Sequence, residues 1–458
     1  MHTQASNHRK TRASGLGLAG LLAVALTLVG AFPAGWAQEG DESEAPARPL
    51  PDPLTLEYVL SMPLDGHFRV MAGRADRDRA EARLKLAESE FMPRVDLHAR
   101  LRHVKPNPVA ENQDEHDNAL ILSARQPVYD FGRRSANRDS AERLLGAREQ
   151  DLVTTQRHHR LKIMQAYFDV LLADQAYTVT NEEMAIVFVN LDKMRDRHEL
   201  GMISDVELAE REQYYQSVLL ERSRRDADRR QSRRALAELL GRPESLPSRL
   251  AMPDLSALLT RELLPVNELI DSLLSGDPKL QALQLEYEAA SRRVDAARAA
   301  NLPEIYLEID AGEYSRELGS RDRFRGGLYL DIPLYRGGST DAQIGAAQSE
   351  RMRIQAHMAE RSALLREQAL ALYEEIRILD SVAADRIEAL DVYSDLNFVR
   401  KQTLYDMEKA TDLGDAMVQL SRARLERMEV DFARALAWAQ IHLLQGRDYA
   451  QFLSAEGR

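Results

Sequence analysis

The chain of 458 residues repeats one unit, and the register of that repeat limits what it can fold into. A strand-like segment ending in Pro127-Val128-Tyr129-Asp130-Phe131-Gly132 runs into a long helical stretch, and Pro333-Leu334-Tyr335-Arg336-Gly337-Gly338 opens a second one. Pro127 and Pro333 stand 206 residues apart, as do Tyr167 and Tyr373 far along the two stretches, and the helix-cap candidates Ser204 and Thr411 stand 207 apart. Loops absorb insertions readily, whereas two helices that keep register over such a distance are copies of one structure. Upstream, Pro93 and Pro303 are 210 apart, so the first hairpin loop carries the extra residues.

Each copy begins with a helix that a proline stops, the first of them predicted over Leu54 to Met92. Period-2 segments follow. Val95, Leu97, Ala99 and Leu101 alternate with Asp96, His98, Arg100 and Arg102, and a less regular strand is predicted from Ala119 to Gln126. In the second copy Ile305, Leu307, Ile309 and Ala311 alternate with Tyr306, Glu308 and Asp310, and Phe324, Leu328, Leu330 and Ile332 with Arg325, Tyr329 and Asp331. One apolar and one polar face suit a soluble sandwich or a membrane barrel equally.

From Arg133 about 65 residues contain no proline and only Gly146, which predicts a helix on the order of 95 Å long. It stops at Leu200-Gly201. Ser204-Asp205-Val206-Glu207 then restarts a helix with a capping box, the tip of a helical hairpin. The return helix is expected to reach about Leu240, before Gly241-Arg242-Pro243. At the second tip the offset places Met407 where the first copy has Gly201, with Glu408 beside it.

His8, Arg9, Lys10 and Arg12, an apolar run from Leu16 to Phe32, and small residues Gly35 and Ala37 at the −3 and −1 positions predict a signal peptide over 1–37. An acidic, proline-rich leader over 38–53 precedes the two repeats, placed at 54–250 and 251–458. No later apolar window reaches the ~18 residues of a spanning helix, so a membrane crossing requires a closed barrel. The chain has no cysteine for a lipid anchor, and a net charge of −12 argues against nucleic acid as a partner. The mean hydropathy of −0.43 is too polar for a helical membrane protein. The run from Arg222 to Arg234, interleaved with Glu221, Asp226 and Asp228, reads as a solvated or inter-subunit ion-pair face.

Four strands are too few to close a barrel, since membrane barrels need about eight, so in lipid several copies must pool them. No catalytic, cofactor or metal site is expected. His158-His159 cannot present two ligands on one helical face and reads as solvated surface. Arg336-Gly337-Gly338-Ser339-Thr340 lacks the lysine and spacing of a phosphate loop and reads as a strand-to-helix bend.

The doubled strand-Pro-(Val/Leu)-Tyr-x-x-Gly junctions and the tips Gly201-x-x-Ser204-x-x-Glu207 and Ala410-Thr411-Asp412-Leu413-Gly414-Asp415-Ala416 resemble the TolC-type outer-membrane efflux protein family, from about Leu54 to Gln445. That resemblance implies a mainly α fold with a small β part. It implies a homotrimer with a twelve-stranded barrel in outer-membrane lipid of a Gram-negative bacterium and an α-helical periplasmic tunnel. A periplasmic adaptor (membrane fusion) protein would join it to an inner-membrane transporter of RND or ABC type. The implied function is a passive conduit for multidrug or small-molecule efflux or type I protein secretion; a periplasmic adaptor or a soluble coiled-coil protein is the alternative. Asp412 and Asp415, with Glu207 and Glu210 at the first tip, are gate candidates, or else they favour helix N-termini through the macrodipole. Gly201, Ser204, Thr411, Pro127, Gly132, Pro333, Gly337 and Gly338 are the structural candidates of tips and junctions.

Overall fold

A computed structural model describes residues 50–243, 249–256, 262–316, 321–407 and 413–447. The expected signal peptide, most of the leader, Thr411 and Asp412 lie outside the described residues. Contacts divide the chain into a sheet unit, Glu90–Asp130 with Pro303–Ile332, and a helical unit that holds the rest of the described chain.

The sheet unit contains β1 (Arg94–Arg100), β2 (Ala119–Tyr129), β3 (Glu304–Tyr314) and β4 (Phe324–Asp331), in the order β1-β2-β3-β4 with every pair antiparallel. The register carries one apolar face across all four strands. Leu97 lies opposite Leu122, Leu122 opposite Ala311, Ala124 opposite Ile309, and Leu307 opposite Leu328. β2 runs past its expected end at Gln126 to Tyr129. Pairing with β1 begins only at Arg125, and the β2-β3 register shifts between Pro127 and Tyr129, a bulge that accommodates the missing proline N–H.

In the helical unit, α1 (Leu56–Ser61) and α2 (Phe68–Ser89) replace the single helix expected before the first strand. Pro63 drives the break, because the residue before a proline avoids helical geometry: Met62 is extended, with ψ 142°. Then come α3 (Arg133–Glu199), α4 (Asp205–Leu239), α5 (Val266–Gly276) and α6 (Pro278–Ala299). After β4 follow α7 (Ser339–Ile378), a π-helical turn (Leu379–Ala383), α8 (Ala384–Asp406) and α9 (Leu413–Leu444).

The π turn explains why the repeat offset grows from 206 to 207. The helices start in step, at Gly132 and Gly338, but the C-cap of α3 is Leu200 and that of α8 is Met407. One added residue is absorbed as a π turn without altering the helix on either side. Met407 is therefore the counterpart of Leu200, not of Gly201, and the Gly201 position falls on Glu408, outside the described residues.

α3 is the hub, packing against α2, α4, α6 and α9, while α7 packs on α5, α6 and α9. The core gathers midway along it. Ile163, Met164, Tyr167 and Phe168 meet Leu365 and Leu372 of α7, Leu269 and Leu273 of α5, and Phe432 and Trp438 of α9. Phe168 and Phe432 stack with centroids 4.2 Å apart. The Tyr167 hydroxyl lies 2.8 Å from the Leu54 carbonyl and 2.5 Å from that of Ala251, and ties the parallel Leu54–Leu250 bridge to α3. Burial pushes that phenol up to about 12.

Candidate functional site

The apolar face of the sheet is exposed. Leu97 keeps 52%, Phe324 68% and Leu328 70% of its surface, whereas a protein in water buries such a face. The opposite face is a polar network. Asp310 accepts from Ser123 Oγ at 2.7 Å and from Arg325 at 2.6 Å, and the Arg125 guanidinium lies 3.5 Å above the Tyr306 ring, which stacks on Tyr329. β1 and β4 are edges without partners among the described strands.

Beyond the strands, the two hairpins are laced together. The buried carboxylate of Asp117 takes Arg321 at 2.5 Å and also Arg102, which hold it well below the usual carboxylate range. Ser315 N–H donates to the Asn118 carbonyl at 2.9 Å. Sequence reading did not single out Asp117, because its partners come from two different loops.

At the first junction, Phe131 and Gly132 are left-handed (φ 54° and 90°), and at the second Gly337 and Gly338 (φ 58° and 78°). Each pair turns the chain from extended backbone into a helix. Pro127 lies in the β2 bulge, and Pro333 follows β4.

The first tip has the predicted chemistry. Gly201 is left-handed (φ 69°); its N–H donates to the His198 carbonyl at 2.8 Å and that of Met202 to Arg197 at 2.9 Å, the Schellman pattern. Ser204 Oγ accepts from Glu207 N–H at 3.2 Å, and Glu207 Oε2 accepts from Ser204 N–H at 2.8 Å. Those bonds, that from the Ser204 N–H foremost, hold the Glu207 carboxyl below its ordinary value. Glu210 is exposed one turn on, and Leu200, Met202 and Val206 expose apolar surface around the turn. At the second tip Asp415 is exposed in the first turn of α9, and Gly414 lies against Ile186 of α3. Glu183 joins these elements, accepting from Tyr214 at 3.2 Å and pairing with Arg422 at 3.2 Å.

The two histidines part company. His158 is exposed, but His159 is buried at 3% exposure, bonded through Nε2 to the Leu239 carbonyl at 3.0 Å and packed on the His67 ring; the expectation of solvated surface fails for it. The cause is that α3 is contacted on several sides, so a position off its main apolar stripe is still covered. The arginine run also works inside the hairpin. Arg222 donates to Asn181 at 2.8 Å and to the Tyr177 hydroxyl at 2.7 Å, Arg229 lies over the Tyr177 ring, and Arg233 pairs with Asp174 at 2.5 Å. Among the described residues no group of three or more His, Asp or Glu is placed to hold a metal ion, and no helix is long and apolar enough to cross a membrane.

A doubled strand hairpin and long helical hairpin, with an uncovered apolar sheet face, mark a class of proteins whose sheet is covered by something other than their own core. The chain belongs to the outer membrane efflux protein family, whose sequence profile matches residues 59–242 and 269–447. It is 24% identical over 285 residues to the outer membrane protein TolC of Vibrio cholerae, covering 59% of this chain and 63% of that one. It is 23% identical over 292 residues to the cobalt-zinc-cadmium resistance protein CzcC of Cupriavidus metallidurans, covering 63% and 65%. The chain thus spans less than two thirds of the length of these relatives. The fold is shared with the outer membrane protein VceC of Vibrio cholerae (TM-score 0.67, 18% identity, 86% and 96% covered). It is shared too with the MtrE outer membrane channel of Neisseria gonorrhoeae in its open state (TM-score 0.63, 18% identity, 86% and 89% covered). Membership of this family favours an outer membrane efflux protein over the adaptor and soluble coiled-coil alternatives.

Proposed function

We propose that the chain is the outer-membrane subunit of a tripartite export system, a passive conduit whose driving force comes from an inner-membrane transporter of RND or ABC type through a periplasmic adaptor. The observation that carries this reading is the four-stranded sheet with an exposed apolar face and two edges that have no partner among the described residues. Lipid satisfies the face but not the edges, so copies must pair β4 to β1, and three of them supply a barrel of about twelve strands.

A helical surface favours the same assembly. Val392, Leu396 and Val399 of α8 keep 55%, 66% and 59% exposure at a spacing that puts them on one face, the pattern of a helix awaiting a neighbour. Residues 1–37 direct export and are cleaved after Ala37, and the helical hairpins stand in the periplasm. Leu200, Met202 and Val206 supply apolar surface on which an adaptor docks. Asp412 and Asp415, repeated by each copy, set a negative ring at the periplasmic mouth, with Glu207 and Glu210 contributing from the first tip.

The test is the migration of detergent-extracted outer-membrane material with and without boiling. A band at three times the chain mass that collapses on heating supports the reading; a monomer confined to the soluble periplasm overturns it.

A further inference from the structure

The register of β1 and β2 does not end with the strands. Arg100 lies opposite Ala119, and the same pairing carried three places further sets His103 opposite His116 in an isolated antiparallel bridge. Val104 N–H donates to the Glu115 carbonyl at 2.8 Å, and Asp117 N–H to that of Arg102 at 2.8 Å. His103 and His116 are therefore the pair between two ladder bonds. In such a pair the backbone groups point away from the partner strand and the side chains stand closest. The backbone of His116 is held on its outward side, where its N–H donates to Asp114 Oδ1 at 2.9 Å and its carbonyl accepts from Ser315 Oγ at 2.9 Å.

Two imidazoles thus meet across a fixed stem, with ring centroids 5.8 Å apart and planes at 70°. Their side chains are 70% and 72% exposed, so packing in a core does not account for them. Each ring has a carboxylate beside one nitrogen: Glu115 Oε2 is 3.8 Å from His103 Nε2, and Asp114 Oδ1 is 3.6 Å from His116 Nδ1. An imidazole that ligates a metal gives its other N–H to just such an acceptor, which fixes the tautomer and leaves the second nitrogen for the ion. Asp117, one place on, is taken by Arg102 and Arg321, whereas among the described residues no arginine or lysine takes Asp114 or Glu115.

We propose that His103 and His116 chelate one divalent transition-metal ion of the copper, nickel and zinc class. His103 binds through Nδ1 and His116 through Nε2, the nitrogens turned from the carboxylates, and water fills the remaining positions. Imidazole selects this class over magnesium and calcium, and Cu²⁺ is held more tightly than Ni²⁺ or Zn²⁺. Two nitrogens at about 2.0 Å from one ion stand about 3 Å apart, a separation that rotation of the two side chains reaches without moving the stem. The ion staples the chain ends beyond the last strand pair and closes the base of the loop. Sequence spacing does not reveal this site, because only the β1-β2 register brings the two histidines together.

The probe is Cu²⁺, titrated into the metal-free, detergent-solubilised full chain with glycine as a competitor for weak sites, and followed by electron paramagnetic resonance. One equivalent per chain with the hyperfine pattern of two imidazole nitrogens is expected. His103→Gln and His116→Gln, both at exposed side chains that the fold does not need, should each weaken that binding about a hundredfold, since the second ligand of a linked pair acts at high effective concentration. His98→Gln, on the other face of β1, should leave it unchanged. Absence of the two-nitrogen species, its survival in either the His103 or the His116 variant, or its loss with His98 would overturn the proposal.

Discussion

A Cβ placed on Gly414 would lie 2.9 Å from both Cγ1 and Cδ1 of Ile186, so the first turn of α9 rests on α3 with no space for a larger residue. Gly414→Ala should therefore cost about 1–3 kcal/mol through overpacking. Combined with Ile186→Ala, which withdraws both Cγ1 and Cδ1, it should cost less than the sum of the two single changes. Thermal midpoints of the single and double variants decide, and additive losses would refute the contact.

Asp277 both caps α6 and holds Arg361, whose side chain is only 20% exposed. Asp277→Ala strands that guanidinium and should cost about 3–5 kcal/mol. Asp277→Asn retains an acceptor for the Leu280 N–H and should lose less. Urea unfolding of the two variants would show the order.

Ser204→Ala removes one arm of the capping box and should cost about 1 kcal/mol. The cap also depends on pH. Glu207 holds its proton less tightly in the folded chain than in the unfolded one. Its contribution is complete above the ordinary carboxylate value of 4.5 and fades as pH falls through the lowered folded value. Amide exchange at residues 204–208, corrected for intrinsic rates, should accelerate between about pH 5 and pH 3, and Glu207→Gln should blunt that change.

Deleting Ser381 from the π turn removes the residue that separates the two repeats in helix length. The helix should then continue as regular α with its flanking faces unmoved. Deleting Val187 from α3, which has no such turn, rotates everything beyond it by about 100°. Assembly and thermal midpoint should survive the first deletion and fail in the second.

If the acidic residues of the second tip form a ring around the pore, Asp412→Ala with Asp415→Ala should weaken cation preference in planar-bilayer conductance. Unchanged selectivity would assign the pair to helix N-termini alone.

What was legible from sequence was local chemistry. Strand alternation, the glycines at 337 and 338, and the Ser204–Glu207 box each act within a few residues, and each stands where its pattern places it. The one-residue drift in the repeat was also visible, but its location was not, because a π turn leaves no mark in composition. The burial of His159 depends on His67 and Leu239, which reach it from the turn before α2 and from the end of α4. A helix contacted on several sides has no single apolar stripe to read. Asp117 and Asp277 were missed because each takes an arginine from far along the chain, Arg321 204 residues away and Arg361 84.

The sheet alternates direction through an even number of strands, so β1 and β4 run opposite ways. A head-to-tail contact between copies then joins two different edges and reproduces the antiparallel hydrogen-bond pattern found inside each chain. Such a heterologous seam looks the same however many subunits meet, and a relative that lost a single strand would face a parallel mismatch at every seam. Strand geometry therefore leaves the subunit count open, and the angle at which neighbouring helices pack decides where the circle closes.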